Sequence, residues 1–248
     1  MHARRPAPPP QLRVAPLALL ALLFLGPFGG CASHRRADRA VDPADAPVLR
    51  ADAAALRAAA PTVDPVALTA ALDAHACALA RGAIRPIAEQ PLLALIDYGR
   101  SSSVPRLWVF DLAAGRLVWH DFVSHGENSG EDLASSFSDT QNSHQTSLGA
   151  FATAETYEGR HGLSLRLDGL EPGLNGNARP RDIVVHGADY VDEAHIAEHG
   201  RLGRSWGCPA VRRSLAADLV PALAAGALLF AWHPDARPTP GSVLCGAR

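Results

Sequence analysis

Residues 201–210 read Arg-Leu-Gly-Arg-Ser-Trp-Gly-Cys-Pro-Ala, a polar, glycine-containing run with Cys208 near its end. Upstream, His186 closes the apolar run Ile183-Val184-Val185 and is followed by Gly187. A thiol on a glycine-rich loop and an imidazole at a strand end are the pair that cysteine acyl transfer needs. The thiolate attacks, while the imidazole lowers the thiol's pKa and later returns the proton to a leaving amine. The plainer alternative is a buried small hydrophobe beside a hydrogen-bonded core histidine. Ser-x-Gly-Cys is poor core material, and Arg201, Arg204, Arg212 and Arg213 flank it in sequence, which favours the chemical reading.

Outward from this run the chain reads as short strands. Leu92–Tyr98 is continuously apolar, and Leu107–Leu112 with Leu117–Val123 flank Ala113-Ala114-Gly115-Arg116 as a hairpin. Leu148–Thr156, Leu163–Leu167, Asp182–His186 and Gly226–Trp232 are further strand candidates, while Tyr190–His199 and Ser214–Ala225 read as helices. Trp108 and Trp119 are expected to fill core. Glu127–Gln145 is a long polar loop of the kind compact domains keep for function, and Gly169–Arg181 is a turn-rich connection. Many short strands with few helices indicate a mainly β domain carrying small helices, over residues 91–235.

Before it, Asp64-Pro65 offers a helix start. Val66, Leu68, Leu72, Cys77 and Leu79 form a helical stripe ending near Gly82, so residues 62–90 read as a helical lead-in. Residues 33–61 read as a tether with a helical stretch through Asp52–Ala60, and 236–248 as a C-terminal tail. Arg4, Arg5 and Arg13 precede the interrupted apolar run Val14–Phe28 and small residues up to Ala32, the pattern of a secretion signal over residues 1–32. Cys31 after Gly29-Gly30 resembles a lipoprotein processing site. Exported, lipid-anchored or plainly secreted, the chain is expected in the periplasm or cell envelope and as a monomer.

Lys+Arg number 23 against 25 Asp+Glu, for a net charge of −2, and this balance argues against a nucleic-acid partner. Of the four cysteines, Cys31, Cys77, Cys208 and Cys245, one arrangement ties Cys77 to Cys245 and leaves Cys208 free. Sequence does not fix that connectivity.

Taken together, SHGENSG, the stretch SSFSDTQNSHQTSLGAFATAETYEGRHGLSLRLDGLEPG, IVVHGADYV and GRLGRSWGCPA resemble the L,D-transpeptidase (YkuD-like) catalytic domain over roughly Leu92–Pro234. The resemblance implies a β-sandwich or mixed-sheet fold and chemistry on peptidoglycan stem peptides without metal or organic cofactor. Cys208 would attack the carbonyl of the third stem residue and expel the terminal D-alanine. The thioester would then pass to a side-chain amine of another stem, giving a 3-3 cross-link. His186 would be the base, Gly207 and Cys208 backbone N–H groups the oxyanion holders, and Ser205 and Gly187 their support. Trp206, Arg204, His125 and Tyr190 are candidate substrate contacts.

Two positions depart from the family pattern. Trp206 stands where a His is usual, and Ala210 where an Arg or Asn is usual. Arg204 or Arg212 is a candidate to replace the latter, Trp206 is either a stacking wall or a packed lid, and hydrolysis of the thioester is the enzymatic alternative. A non-catalytic cell-wall-binding protein is the alternative from another class. His195-Ile-Ala-Glu-His199 matches an inverted zincin pattern but lacks a placed third ligand, so a solvated helix is preferred there. His144 lies in the long loop, near the expected site. His161-Gly162 opens a strand. Asp168, Glu171 and Asp189 are expected to pair with arginines at the surface.

Overall fold

A computed structural model describes residues 52–85, 91–224 and 226–246. The expected signal segment, Cys31 and the tether up to residue 51 lie outside the described residues. Among the described residues no helix is long and apolar enough to cross a membrane.

The framework is one eight-stranded mixed sheet with small helices on it. The strands are β1 (Leu92–Asp97), β2 (Leu107–Asp111), β3 (Arg116–Asp121), β4 (Gly149–Gly159), β5 (Gly162–Gly169), β6 (Val184–Ala188), β7 (Ala210–Arg212) and β8 (Leu228–Trp232). Their spatial order is β3-β2-β1-β8-β4-β5-β6-β7. The β1–β8 and β6–β7 pairs are parallel and the others antiparallel. Beyond β3 the chain runs beside the segment that leads into β7. Ser124 N–H donates to Ala210 O at 2.8 Å, Ser205 N–H to His125 O at 3.0 Å and Glu127 N–H to Ser205 O at 2.8 Å. The two ends of the strand order thus meet and the sheet nearly closes on itself, which leaves little unpaired edge.

Every residue of β1 is buried because both faces of the sheet are covered. Ala94 and Ile96 enter one apolar cluster with Val109, Val185, Leu229 and, from α4 (Arg213–Leu223), Leu215, Leu219 and Leu223. Leu93 and Leu95 point the opposite way, to join Trp108, Phe110 and Phe230 under the N-terminal helices. Each fully buried Leu or Phe contributes about 1.5–3 kcal/mol of transfer free energy. Trp108 is fully buried and Trp119 partly so.

The covering helices are α1 (Ala53–Ala59), α2 (Pro65–Ala80) and α5 (Ser242–Cys245). Asp64 caps α2 by accepting from Val66 N–H at 2.7 Å and Ala67 N–H at 3.0 Å, and Pro65 follows as its first residue. The stripe that packs differs from the one expected from large residues. Ala67, Leu68, Ala71, Ala74, His75 and Ala78 are buried, whereas Val66 is 63% exposed. Alanine on the inward face lets the helix axis approach the sheet closely, so helix–sheet proximity rather than side-chain bulk sets this face.

Leu56 and Ala60 of the α1 region share this cluster with Leu244 of α5, and Cys77 is disulfide-bonded to Cys245 with Cα atoms 5.3 Å apart. The residues read as lead-in and tail therefore share a core with the sheet, and the boundaries expected at 61, 90 and 235 are not boundaries of packing. Glu171 is also a correction. It is buried rather than paired at the surface, and its carboxylate accepts from Ala150 N–H at 2.8 Å, Gly241 N–H at 3.0 Å and Leu244 N–H at 3.3 Å. That ties the C-terminal segment to β4. Asp168 and Asp189 do pair with arginines, Arg179 and Arg213. The helix expected over Tyr190–His199 starts later, as α3 (Glu193–His199), where Asp192 caps it.

Candidate active site

Parallel pairing of β6 with β7 sets His186 opposite Ala210, Gly187 opposite Val211 and Ala188 opposite Arg212. Cys208 lies two residues before Ala210 on the loop entering β7, so the sheet register itself brings the imidazole and the thiol to one end of the β6–β7 pair. Gly187 is required there by packing, because a Cβ at this position would meet Ala216 Cβ at 3.1 Å and Arg213 Cα at 3.2 Å on α4. Its role is thus to let helix and strand approach and to lend its carbonyl to His186.

His186 is buried, with Nδ1 3.1 Å from Gly187 O. A carbonyl can only accept, so Nδ1 carries the proton and Nε2 is left with its lone pair. The ring stacks on His161, centroids 4.3 Å apart. Burial, and then the neighbouring charges of His161, Arg213 and Arg160, hold His186 below its ordinary pKa despite the Gly187 hydrogen bond. Cys208 is the free cysteine among the described residues and is half-buried. Its Sγ lies 3.5 Å from Asp182 O, and no hydrogen bond joins it to His186. Burial pushes the thiol up to about 11, against the opposing pull of Arg181 and Arg160. The expected imidazole-lowered thiolate is therefore not the resting state. Both groups are neutral at pH 7, because each sits where a charge is poorly solvated.

Ser205 organises the loop. Its Oγ donates to the Cys208 carbonyl at 2.6 Å and accepts from Gly207 N–H at 3.1 Å. Gly207 adopts φ 119°, and a Cβ there would meet Gln145 O at 2.8 Å, so only glycine fits without strain. With Gly207 N–H engaged by Ser205, Cys208 N–H is the amide of this pair that has no acceptor among the described residues.

The four predicted substrate contacts divide. Trp206 is 61% exposed, stacks on His144 with centroids 4.9 Å apart, and carries the Arg160 guanidinium 5.5 Å from its centroid. It is thus not packed down on the domain as a lid. Tyr190 is half-buried, and burial, with the neighbouring Cys208 as a smaller cause, pushes its hydroxyl up to about 12. His125 is a correction. It is 1% exposed, with Nδ1 2.8 Å from Arg106 Nη2 and Nε2 3.3 Å from Gly130 O, so both ring nitrogens are used inside the protein. Arg204 is another, since its Nη1 donates to Glu127 O at 3.1 Å, Gly130 O at 2.9 Å and Glu131 Oε1 at 2.8 Å. Arg212 is likewise held, by Asp121 at 2.8 Å and Glu193 at 3.0 Å. Ala210 is buried in β7.

Three residues at the site escaped the sequence reading. Arg160 and His161 form the two-residue turn between paired Gly159 and Gly162 of β4 and β5. The glycine-bounded turn was legible, but the sheet end it reaches was not. Arg181 is enclosed below the loop and donates to Ser138 O at 2.7 Å and Gln145 O at 2.7 Å. His144 holds Trp206 and is itself 2.7 Å from Glu127 Oε1 through Nδ1. On α3, His195 and His199 stack on each other with centroids 4.1 Å apart. Among the described residues no group of three or more His, Cys, Asp or Glu is placed to hold a metal ion.

The domain is a nearly closed mixed sheet with small helices, carrying a free cysteine on the loop that enters one strand of a parallel pair and a histidine on the other. A family model of the L,D-transpeptidase catalytic domain matches residues 59–232, more than half of the chain, and the chain belongs to that family. Among solved structures, an L,D-transpeptidase from Mycobacterium smegmatis is similar at 13% identity and a TM-score of 0.36, over 57% of this chain and 58% of that one. An L,D-transpeptidase in complex with imipenem is similar at 14% identity and a TM-score of 0.36, with the same coverage of 57% and 58%. One from Xylanimonas cellulosilytica reaches 19% identity and a TM-score of 0.33 over 71% and 76%. The chain thus spans less than two thirds of the length of the first two. No curated protein matches it.

Proposed function

We propose that this chain transfers the acyl group of a peptidoglycan stem peptide through a thioester on Cys208, forming 3-3 cross-links. The observation that supports this reading is the β6–β7 register, which pairs His186 with Ala210, two residues after the free Cys208, while Gly187 O engages His186 Nδ1 and leaves Nε2 for proton transfer. Because the resting pair is neutral, the proton moves as the bond forms. Sγ attacks the L-centred carbonyl of the third stem residue while His186 Nε2 takes the thiol proton, and Cys208 N–H donates to the developing oxyanion. The imidazolium then protonates the amine of the departing D-alanine. An amine of a second stem attacks the thioester, gives its proton back through His186 and releases Cys208 as the thiol. Tyr190 and Trp206 flank the bound stem.

We further propose that the chain works outside the cytoplasm, in the periplasm or cell envelope, with Cys31 as a lipid attachment point. The Cys77–Cys245 disulfide supports an oxidising compartment.

The test is to incubate the chain from Ser33 onward with disaccharide-tetrapeptides and to read the products by mass spectrometry, with Cys208→Ala as control. Dimers lacking one terminal D-alanine, formed only when Cys208 is present, are the expected result. Tripeptides without dimers would mean that water takes the thioester. Unchanged substrate with both proteins would sink the enzymatic reading and favour a cell-wall-binding module.

A further inference from the structure

The β4–β5 hairpin delivers two side chains to the site from one tight turn. His161 stacks on the base, and Arg160 lies over Trp206. The other arginines of the site and its loop are committed. Arg181 is enclosed by Ser138 O, Gln145 O and serine hydroxyls. Arg204 is tied to Glu131, Arg212 to Asp121 and Glu193, and Arg213 to Asp189. Arg160 is exposed and makes no hydrogen bond or ion pair among the described residues. Its charge nevertheless reaches both Cys208 and His186. The position two residues after the cysteine, Ala210, is buried and offers no polar group. The uncommitted positive charge of the site therefore comes from the hairpin turn.

An exposed guanidinium held against an aromatic face keeps its N–H fork free at low cost in side-chain entropy, and that fork matches a carboxylate. In acyl transfer the leaving residue lies next to the scissile carbonyl, and when it is C-terminal it carries a carboxylate within a few bonds of the reacting atom. We propose that Arg160, steadied by Trp206, recognises the free carboxylate of the leaving residue and so selects stem peptides that end there. This rests on the acyl-transfer reading above. Trp206 is accordingly part of a carboxylate subsite, and His144, anchored by Glu127, fixes its plane.

The experiment compares the full-length wild type with Arg160→Ala and Arg160→Lys in two assays, with thermal melts to confirm folding. The first assay measures kcat/KM on a tetrapeptide stem as its free acid and as its C-terminal amide. Arg160→Ala is expected to lower the acid-over-amide preference about 10- to 100-fold, with Arg160→Lys intermediate. The second needs no turnover and measures alkylation of Cys208 by iodoacetate relative to iodoacetamide. A general change in thiol reactivity alters both rates alike, so only recognition of the carboxylate moves their ratio, and Arg160→Ala is expected to lower it several-fold. Loss of the alkylation preference in a protein that turns over no stem peptide would support carboxylate recognition and overturn the transpeptidase reading. Turnover with both ratios unchanged in Arg160→Ala would overturn the inference and leave the transpeptidase reading standing.

Discussion

The imidazole of His161 lies stacked on that of His186, with ring centroids 4.3 Å apart and planes inclined by 24°. A residue at the tip of the β4–β5 hairpin and one within β6 thus pack together. The contact shields the His186 ring from water, and the charge His161 can carry opposes protonation of His186. Replacing His161 by Ala opens the base to solvent and removes that opposing charge. Both changes raise the His186 pKa toward its ordinary value, so the acid limb of the kcat/KM profile is expected to move to higher pH, with rate lost at pH 6 before it is lost at pH 8. An unmoved limb in His161→Ala would show that the stack does not tune the base.

The thiol gives a second pH prediction. With Cys208 pushed up to about 11 from an ordinary 9.0, the thiolate is scarce at neutral pH. Its alkylation by iodoacetamide should climb through pH 9 without levelling off. A plateau reached below pH 8 would instead reveal a preformed thiolate–imidazolium pair and contradict concerted proton transfer.

Ser205 should matter more for rate than its size suggests. Ser205→Ala leaves the Cys208 carbonyl and the Gly207 N–H without their partner, a loss of about 1–3 kcal/mol where the groups stay buried. The loop that carries Cys208 then loses the hydroxyl that braces it from both sides. The expected outcome is a drop in kcat of roughly 10-fold or more with a small fall in Tm, and partial recovery in Ser205→Thr. Wild-type turnover in Ser205→Ala would mean the loop holds its shape without the hydroxyl.

His75 links acidity to folding. It is buried on α2, and burial lowers its pKa from 6.5 to about 4. The unfolded chain therefore takes up the proton first as pH falls. The stability associated with neutral His75 is complete above pH 6.5 and is lost between 6.5 and 4, amounting to about 3 kcal/mol at most. Denaturant titrations should show this slope reduced in His75→Leu. The remainder belongs in part to His125, which burial and Arg106 also hold at about 4.

The sequence by itself marked most of the elements and singled out Cys208 and His186 as the candidate pair. Continuous apolar runs marked β1 and β8, Asp64-Pro65 marked the start of α2, and a glycine-rich cysteine loop after a strand-end histidine marked Cys208 and His186. These are local patterns, and local backbone preference with side-chain period is enough to produce them. Tertiary structure decided what each polar group is for. His125 and Arg204 look like substrate contacts in a string of letters, yet the near-closure of the sheet buries one and ties the other to the Glu127–Glu131 loop. Glu171 looks like a surface partner for arginine, yet backbone N–H groups from β4 and the C-terminal segment converge on it. Arg160 and His161 carried no signal for the site, because only strand pairing across the sheet brings the tip of the β4–β5 hairpin over Trp206 and His186. The physical reason is that a charge or an imidazole takes its role from desolvation and from partners distant in sequence, and both are fixed only when the sheet closes.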